Sequence, residues 1–307
     1  MLRKQSNPTL KDFEGSLSIK VLRDGSFRTL GFLSDPQPGM IVFLEDEKYL
    51  DLLRRTPGIS CVITTGELAE KVEHIPGVAV SADPKIALFE LHNHLALKTD
   101  FYWNGFPTEI DRTASVHPRA CIAENSVRIG ANTIIGANVT ISERCLIGSS
   151  VTILAGAVLG SAGFQSAVTG KGTIDMVHAG GIVIQDKVVI YSNAVIAAAV
   201  FRQFTTIGED SRIGNVAFVS HNVQVGSRCL IGHGSVINGN VRLGSDVWIG
   251  PGATLTNNIA LGDGAQVSLG ATVTIDVRDG ERVTGMLAMD HKKMLCHIRS
   301  LKEKKDD

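Results

Sequence analysis

An aliphatic residue recurs at every sixth position over a long stretch of this chain. The twelve positions are Ile207, Ile213, Val219, Val225, Ile231, Ile237, Leu243, Ile249, Leu255, Leu261, Val267 and Val273. A half-buried strand repeats every two residues and a helix every 3.6, so neither accounts for a period of six. The period is typical of a solenoid whose coil has three short flat faces of six residues each, about eighteen residues per coil.

The composition agrees with a narrow β-solenoid. Aromatic residues make up only 5% of the 307 residues, and 32 residues are Gly. Small and β-branched side chains fit inside a narrow coil, and Gly accepts the positive φ of its corners. The formal net charge of −1 gives no reason to expect a nucleic-acid partner.

The number of cysteines and the hydropathy pattern predict where in the cell the protein works. Five cysteines, an odd number without a Cys-x-x-Cys pair, disfavour a disulfide framework and favour a reducing cytoplasmic setting. The N-terminus lacks the apolar run of a signal peptide, and no later stretch is long enough to cross a membrane. We therefore expect a cytoplasmic protein that is neither secreted nor membrane-spanning.

Residues 1–100 lack the six-residue period and are predicted to form a small α/β domain. Apolar segments that predict strands alternate with helix-like segments, which is typical of this fold class. The predicted strands are Met40–Leu44, Ser60–Thr64 and Val78–Val80, and the predicted helices are Glu45–Arg55, Glu67–Val72 and Pro84–Leu97. Asp83 before Pro84 is a typical helix start, with a capping residue and proline at the first helical position.

Residues 101–109 form a predicted linker with the densest aromatic cluster of the chain, Phe-Tyr-Trp-Asn-Gly-Phe at its start. One interpretation is a plug over the open end of the solenoid, where coil backbone would otherwise be exposed. The other interpretation is contact with a substrate.

The predicted solenoid spans residues 110–283, enough for about eight coils. The period stops after Leu159 and resumes at Ile184, which leaves residues 160–181 as an insertion. An insertion must leave a solenoid at a corner, and long insertions of this kind usually serve binding. The period also loses one residue near Phe201.

Residues 284–307 abandon the period and are predicted to form a basic C-terminal helix. Lys292, Lys293 and Arg299 are its leading basic residues. Such a charged end is usually a solvated face. It could also dock an acidic carrier protein.

The eighteen-residue coil places His221 in one column with Gly239 and Asn257. Gly239 leaves room beside the imidazole and is expected to leave its own backbone N–H uncovered. A base beside a free N–H suits acyl transfer to an amine, which needs proton removal during attack and a donor for the oxyanion. The alternative is that His221 only hydrogen-bonds a neighbouring loop.

The next column holds Asn222, Asn240 and Asn258. Asn at the same position of successive coils predicts a corner ladder, because Asn tolerates the left-handed conformation and its amides stack. His178 and His233 are the other histidines of this region, and together with His221 they could suggest a metal site. No paired-histidine spacing or accompanying carboxylate supports one, so we expect no metal.

These residues resemble the UDP-3-O-acylglucosamine N-acyltransferases of lipid A biosynthesis, over nearly the whole chain. The segment Asn215–Val223, Asn-Val-Ala-Phe-Val-Ser-His-Asn-Val, is similar to the family's segment around its catalytic histidine, which falls on His221. Phe164 in Ala-Gly-Phe and His178 in His-Ala-Gly-Gly look like the two ends of the family's loop. Phe43 and Tyr49 are similar to the aromatic pair that holds the uracil ring.

The resemblance implies a left-handed parallel β-helix that assembles as a homotrimer. It implies a small N-terminal domain that binds uridine, and substrate contacts at Phe43, Asp46, Tyr49, Phe164, His178, Asn215, Asn222 and Asn258. Three positions depart from the family pattern. Ala198-Ala199-Val200 replaces Asp-Arg-Gly, Asn258 replaces a second histidine, and Asp46 replaces the Asn of the uracil site.

The resemblance further implies an N-acyltransferase that uses no permanently bound cofactor. The acyl group would pass from an acyl-carrier-protein thioester, through phosphopantetheine, to the amine of a UDP-activated amino sugar, with His221 as general base and Gly239 as oxyanion donor. One alternative is a CoA-dependent N-acetyltransferase acting on a nucleotide amino sugar of another surface glycan. A more distant alternative is a non-catalytic trimeric scaffold that binds nucleotide sugar.

Overall fold

The six-residue period builds a left-handed parallel β-helix, preceded by an α/β domain and followed by a helix. This computed structural model describes residues 7–34, 36–170, 172–285 and 290–303. All twelve residues of the periodic array from Ile207 to Val273 are buried. Each of them is the last residue of its strand. Burial of one branched side chain per face fixes the width of each coil.

Three parallel sheets form the faces of the β-helix. The strands of the first face are Glu109–Ile110, Val127–Ile129, Cys145–Ile147, Gly181–Ile184, Phe204–Ile207, Gln224–Val225, Arg242–Leu243 and Ala260–Leu261. Those of the second face are Ser115–Val116, Ile134–Ile135, Thr152–Ile153, Val189–Ile190, Arg212–Ile213, Leu230–Ile231, Trp248–Ile249, Gln266–Val267 and Arg282–Val283. Those of the third face are Cys121–Ile122, Thr140–Ile141, Val158–Ser161, Val195–Ala197, Phe218–Val219, Val236–Ile237, Thr254–Leu255 and Thr272–Val273.

The N-terminal domain is a five-stranded sheet covered by helices. Its strands are β1 (Lys20–Arg23), β2 (Thr29–Leu30), β3 (Met40–Leu44), β4 (Ile59–Thr64) and β5 (Gly77–Val80), in the order β1-β5-β4-β3-β2. Its helices are α1 (Leu50–Arg55), α2 (Pro84–Lys98) and the 3-10 segments Leu10–Phe13, Glu47–Tyr49 and Ala69–Val72. Asp83 caps α2 by accepting a hydrogen bond from the Ile86 N–H at 3.0 Å, as its sequence predicts.

The insertion contains a β-hairpin that packs against the N-terminal domain. Its strands, Ser166–Thr169 and Gly172–Asp175, are antiparallel. Ala167, Met176 and Ala179 are buried in the same apolar cluster as Leu88 and Leu91 of α2. The insertion therefore joins the two parts of the molecule.

A second insertion lies at the same corner, where the sequence period had suggested the loss of one residue near Phe201. That interpretation is wrong. Val195 pairs with Phe218, twenty-three positions along, whereas Phe218 pairs with Val236, eighteen positions along. The coil thus gains five residues after Ala197, because Phe201 leaves the coil to pack against Phe32 and His92. We call residues 198–203 the corner excursion.

The aromatic linker covers the flank of the β-helix and not its open end. Phe101 and Tyr102 belong to the apolar cluster of the N-terminal domain, and the Trp103 ring contacts Phe204 on the first face. Ile110, in the first coil, remains 45% exposed. The plug interpretation is therefore wrong: the chain leaves α2 beside the β-helix, so its aromatic side chains fill the junction between the domains.

The C-terminal helix α3 runs from His291 to Glu303. Residues 286–289 and 304–307 of the predicted tail lie outside the described residues. In the part of the chain that the structure describes, no helix is both long and apolar enough to cross a membrane.

Candidate active site

The predicted column around His221 is present in the structure. His221 and Asn222 form the corner between the third-face strand Phe218–Val219 and the first-face strand Gln224–Val225. The carbonyl oxygen of His221 accepts from the Asn240 N–H at 3.0 Å, and that of Gly239 accepts from the Asn258 N–H at 3.1 Å. These backbone bonds fix the corners of three successive coils in register.

The imidazole of His221 lies directly over Gly239. A Cβ atom added to Gly239 would stand 2.6 Å from Nε2, so any other residue there would displace the ring. His221 is only 8% exposed, and its Nδ1 is buried with no hydrogen-bond partner among the described residues. Burial, aided by the neighbouring His178, lowers the pKa of His221 to about 4. The ring is therefore neutral at pH 7 and able to accept a proton.

The insertion brings His178 against His221. The two ring centroids are 5.7 Å apart, and the planes are inclined by 67°. His178 Nε2 accepts a hydrogen bond from the Gly163 N–H at 3.0 Å, which ties the two ends of the insertion together. Because Nε2 accepts this bond, the proton of the neutral ring is on Nδ1. Burial lowers the pKa of His178 as well.

The backbone N–H of Gly239 is not free, contrary to the expectation from sequence. It donates to Oδ1 of Asn257, one coil further along, at 3.0 Å. The column of three residues explains this contact, since eighteen positions separate Gly239 from Asn257. Asn257 is exposed, so its side chain can rotate into solvent, but the N–H of the buried Gly239 then needs another acceptor in its place.

The predicted asparagine ladder forms, but its members differ in their contacts. Asn222, Asn240 and Asn258 have φ of 60°, 60° and 62°. Asn240 Nδ2 donates to Asn258 Oδ1 at 2.9 Å. The Asn222 side chain is instead used internally, because Oδ1 accepts from the Val200 N–H at 3.0 Å and Nδ2 donates to Gln203 Oε1 at 2.5 Å. Asn222 therefore holds the corner excursion in place.

A groove of about 630 Å³ borders this corner. It lies between the N-terminal domain and the first face of the β-helix. Its walls include Ser34, Pro36, Gln37, Arg202, Gln203, Phe204, Thr206, Asn222, Gln224, Asn240, Arg242 and Asn258. Asn222 and Asn258 thus reach the groove, although the side chain of Asn222 is already hydrogen-bonded.

Two other predicted residues lie away from the imidazole. Phe164 is next to Gly163 but projects into solvent, with 94% of its surface exposed. Asn215 lies at the preceding corner, before Phe218–Val219, where its backbone N–H donates to His233 Nδ1 at 3.0 Å. Within one chain, the structure therefore does not bring Asn215 to His221.

The three predicted residues of the N-terminal domain lie at the end of β3 and the start of α1. Phe43 is partly buried and meets Phe32 edge to face, at 6.2 Å between ring centroids. Tyr49 is 46% exposed, and the Lys48 ammonium lies 4.9 Å from its ring centre. Asp46 forms an ion pair with Lys48 at 2.7 Å, and this partner lowers the pKa of its carboxyl group.

The predicted carrier-binding residues are on the solvent-facing surface of α3. Lys292, Lys293 and Arg299 are all exposed. Among the residues that the structure describes, no group of three or more His, Cys, Asp or Glu side chains is arranged to hold a metal ion. His178 and His221 approach each other without a third ligand of this kind.

Sequence reasoning missed residues that support the site from outside it. His92 of α2 is fully buried, and its two ring nitrogens lie 2.6 Å from the Tyr102 hydroxyl and the Val177 carbonyl oxygen. Tyr102 and Val177 are not related to His92 by the spacing of the solenoid repeat or by that of a helix. No sequence pattern could therefore have indicated these contacts. Asn257, in contrast, could have been found from the column by asking what side chain faces the Gly239 N–H.

Comparison with known families supports the fold. The sequence profile of the bacterial transferase hexapeptide family (six repeats) matches residues 126–161 and 204–239. A UDP-N-acetylglucosamine acyltransferase from Campylobacter jejuni has a similar structure, with a TM-score of 0.50 at 17% identity, over 64% of this chain and 81% of that chain. At this identity the likeness concerns the fold alone.

Curated relatives have a higher sequence identity to this chain. A UDP-3-O-acylglucosamine N-acyltransferase from Helicobacter hepaticus is 30% identical over 251 residues, which covers 71% of this chain and 72% of the relative. One from Caulobacter vibrioides is 37% identical over 108 residues, 34% of this chain. That match spans only 28% of the length of the Caulobacter protein.

We predict that the protein loses stability as the pH falls from about 6.5 toward about 4. His92 and His221 both have pKa values lowered to about 4 by burial, whereas unfolded histidine titrates near 6.5. The unfolded chain therefore binds more protons in this window, so the stability that is complete above about pH 6.5 is progressively lost. Urea unfolding at a series of pH values measures the loss.

His92→Gln should make this acid-dependent loss shallower, because the amide can still donate to the Val177 carbonyl but does not titrate. His74→Gln, a change at an exposed histidine, is the matched control and should leave the slope as it is in the unsubstituted protein. Equal slopes for all three proteins would contradict the prediction.

Proposed function

Because the chain belongs to the UDP-3-O-acylglucosamine N-acyltransferase family, we propose that it transfers an acyl group from a phosphopantetheine thioester to the amine of a UDP-activated amino sugar. The observation that carries this proposal is the neutral, buried imidazole of His221 over Gly239, at a corner whose next residue, Asn222, lines the groove between the N-terminal domain and the β-helix. A neutral base near a groove of substrate size is what acyl transfer to an amine needs.

His221 acts as the general base in the proposed reaction. The amine nitrogen attacks the thioester carbonyl carbon, and the imidazole takes the proton that the nitrogen loses as the new C–N bond forms. The C–S bond then breaks, and the same proton passes to the leaving thiolate, which restores the neutral ring. The low pKa of the buried ring keeps it unprotonated before attack and favours return of the proton afterwards.

The Gly239 N–H is the proposed donor to the oxyanion, and Asn257 competes for it. A neutral amide hydrogen bond of this kind contributes about 0.5–1.5 kcal/mol, and one to a charged group about 1.5–3 kcal/mol. The neutral carbonyl of the bound thioester thus gains little by displacing Asn257 Oδ1. The oxyanion gains more, so the N–H contributes mainly in the transition state, where it raises the rate.

The nucleotide is proposed to bind at Phe43 and Tyr49. Both are aromatic, and the exposed Tyr49 ring offers a surface on which a base can stack. Phe43 connects through Phe32 to Phe201 at the domain junction, so a nucleotide there would lie on the side of the N-terminal domain that meets the β-helix. Asp46, held by Lys48, and Phe164, at the rim of the insertion, are proposed further substrate contacts.

His221→Ala is expected to reduce kcat by at least ~10²-fold, the lower range for a positioned base. Wild type and variant are offered a panel of UDP- and dTDP-amino sugars with acyl-carrier and CoA thioesters, and the products are measured by mass spectrometry. His117→Ala, at an exposed corner of an early coil, is the control and should retain normal turnover. A folded His221→Ala protein with near-normal kcat would rule out His221 as the general base.

Binding of nucleotide sugar by the wild-type protein, without transfer from any thioester, would instead favour a non-catalytic scaffold.

The basic face of α3 tests whether the donor is a carrier protein. Because Lys292 and Lys293 are exposed, charge reversal to Glu at both should weaken docking of an acidic carrier without disturbing a core. We expect a higher KM for acyl-carrier protein and an unchanged KM for the matching acyl-CoA. An equal KM for the carrier protein in wild type and variant would contradict the docking role of α3.

Asn257→Ala is expected to lower the KM for the thioester by about 3–10-fold and to leave kcat nearly unchanged. In wild type the thioester carbonyl must displace the Asn257 side chain before it can accept from the Gly239 N–H. The variant removes this competitor, and the binding free energy that is regained is about that of one neutral hydrogen bond. Gln266→Ala, which removes an exposed amide on the second face, is the matched control. A fall in kcat for Asn257→Ala would show that Asn257 assists the transition state and would overturn the competition.

A further inference from the structure

The insertion that carries His178 is held at its end by two neighbouring residues of α2. Asn93 Nδ2 donates to the Asp175 carbonyl oxygen at 2.8 Å, and Asn93 Oδ1 accepts from the Val177 N–H at 3.0 Å. His92 Nε2 lies 2.6 Å from the Val177 carbonyl oxygen. Val177 therefore has both of its backbone polar groups bound by the N-terminal domain, immediately before His178.

The orientation of His92 is itself fixed. A carbonyl oxygen only accepts, so Nε2 of His92 donates to Val177, and Nδ1 accepts from the Tyr102 hydroxyl at 2.6 Å. The ring also meets Phe201 of the corner excursion at 5.1 Å between centroids. Because His92 is 0% exposed and its pKa is lowered to about 4, it stays neutral and keeps both bonds at pH 7.

The next contacts lead directly to the imidazole of His221. His178 follows Val177, accepts from the Gly163 N–H, and faces His221. A Cβ on Gly163 would stand 2.9 Å from His178 Nε2 and 3.4 Å from His221 Cδ2, so Gly163 lies next to both rings and has no room for a side chain. A shift of Val177 would therefore move the groups that enclose His221.

We propose that His92 and Asn93 are positioning residues, which set the place of His178 against His221 from the N-terminal domain. The proposal rests on the role of His221 proposed above. The domain that is proposed to hold the nucleotide thus also holds one wall of the reaction site. The contacts join residues more than eighty positions apart. They bind both the N–H and the carbonyl oxygen of Val177, the residue beside His178, whereas one such bond would be enough to attach the hairpin.

The first test uses no substrate and is independent of the proposed reaction. Diethyl pyrocarbonate modifies accessible histidine rings, and peptide mapping reports the rate at each one. In wild type, His221 should react slowly because it is buried. Asn93→Ala removes both bonds of that side chain and should speed modification of His221 and His178. Lys98→Ala, at the exposed end of the same helix, is the matched control. Equal rates in Asn93→Ala and wild type would overturn the proposal.

The second test separates positioning from general stability by a double-mutant cycle. Asn93→Ala should lower kcat by about 10-fold or more, since small misplacements at a site are costly. Asn93→Asp, which keeps an acceptor for the Val177 N–H, should recover part of the loss. In a His178→Ala background, Asn93→Ala should cost less than ~2-fold, because the ring that Asn93 positions is already absent and the two changes are coupled. An undiminished loss in that background would show that Asn93 acts by another route and would overturn the proposal.

The two tests distinguish the possible failures. If no acyl transfer is found with any substrate, the modification rates still decide whether Asn93 holds the wall of the site. If the enzyme is active and His221→Ala abolishes turnover, an unaltered Asn93→Ala protein overturns the positioning role alone.

Discussion

Burial of one aliphatic side chain on each face of every coil is the constraint on which the whole structure depends. The interior of the β-helix is too narrow to accept a slipped register, because a shift by one residue would turn the aliphatic side chain outward and a neighbour inward. Each corner is therefore held above the equivalent corner of the next coil. This registration places His221 over Gly239, and Gly239 over Asn257.

The corner at His221 differs from other corners because the two coils before it are each interrupted at the equivalent corner. The insertion 160–181 and the corner excursion 198–203 both leave the β-helix on this side, and both pack into the apolar cluster of the N-terminal domain. Phe201 does so directly, and Met176 does so from the hairpin. Together they exclude water from an imidazole that would be exposed at an ordinary corner, and this burial lowers its pKa.

Departures from the family pattern have physical consequences that can be read from the contacts. Ala198, Ala199 and Val200 stand where the resemblance leads us to expect Asp-Arg-Gly, and all three are buried. The Val200 N–H is satisfied by the side chain of Asn222, so this segment is a packed element and offers no charged group to a substrate. Asn258, where the resemblance leads us to expect a second histidine, continues the corner ladder with Asn240. In this chain the second histidine beside His221 is His178, which the insertion supplies.

The sequence by itself determined what is periodic or local. The six-residue period gave the faces and the corners, the eighteen-residue column placed His221 over Gly239, and Asp83-Pro84 marked the start of α2. The tertiary structure decided what depends on contacts between distant segments. The hydrogen bonds of His92 and Asn93 to Val177 cross more than eighty positions, and Phe201 leaves the coil because a pocket in another domain buries it. Periodicity places Asn257 in the column of Gly239 and so allows the hydrogen bond between them, whereas it carries no information on contacts with segments outside the β-helix.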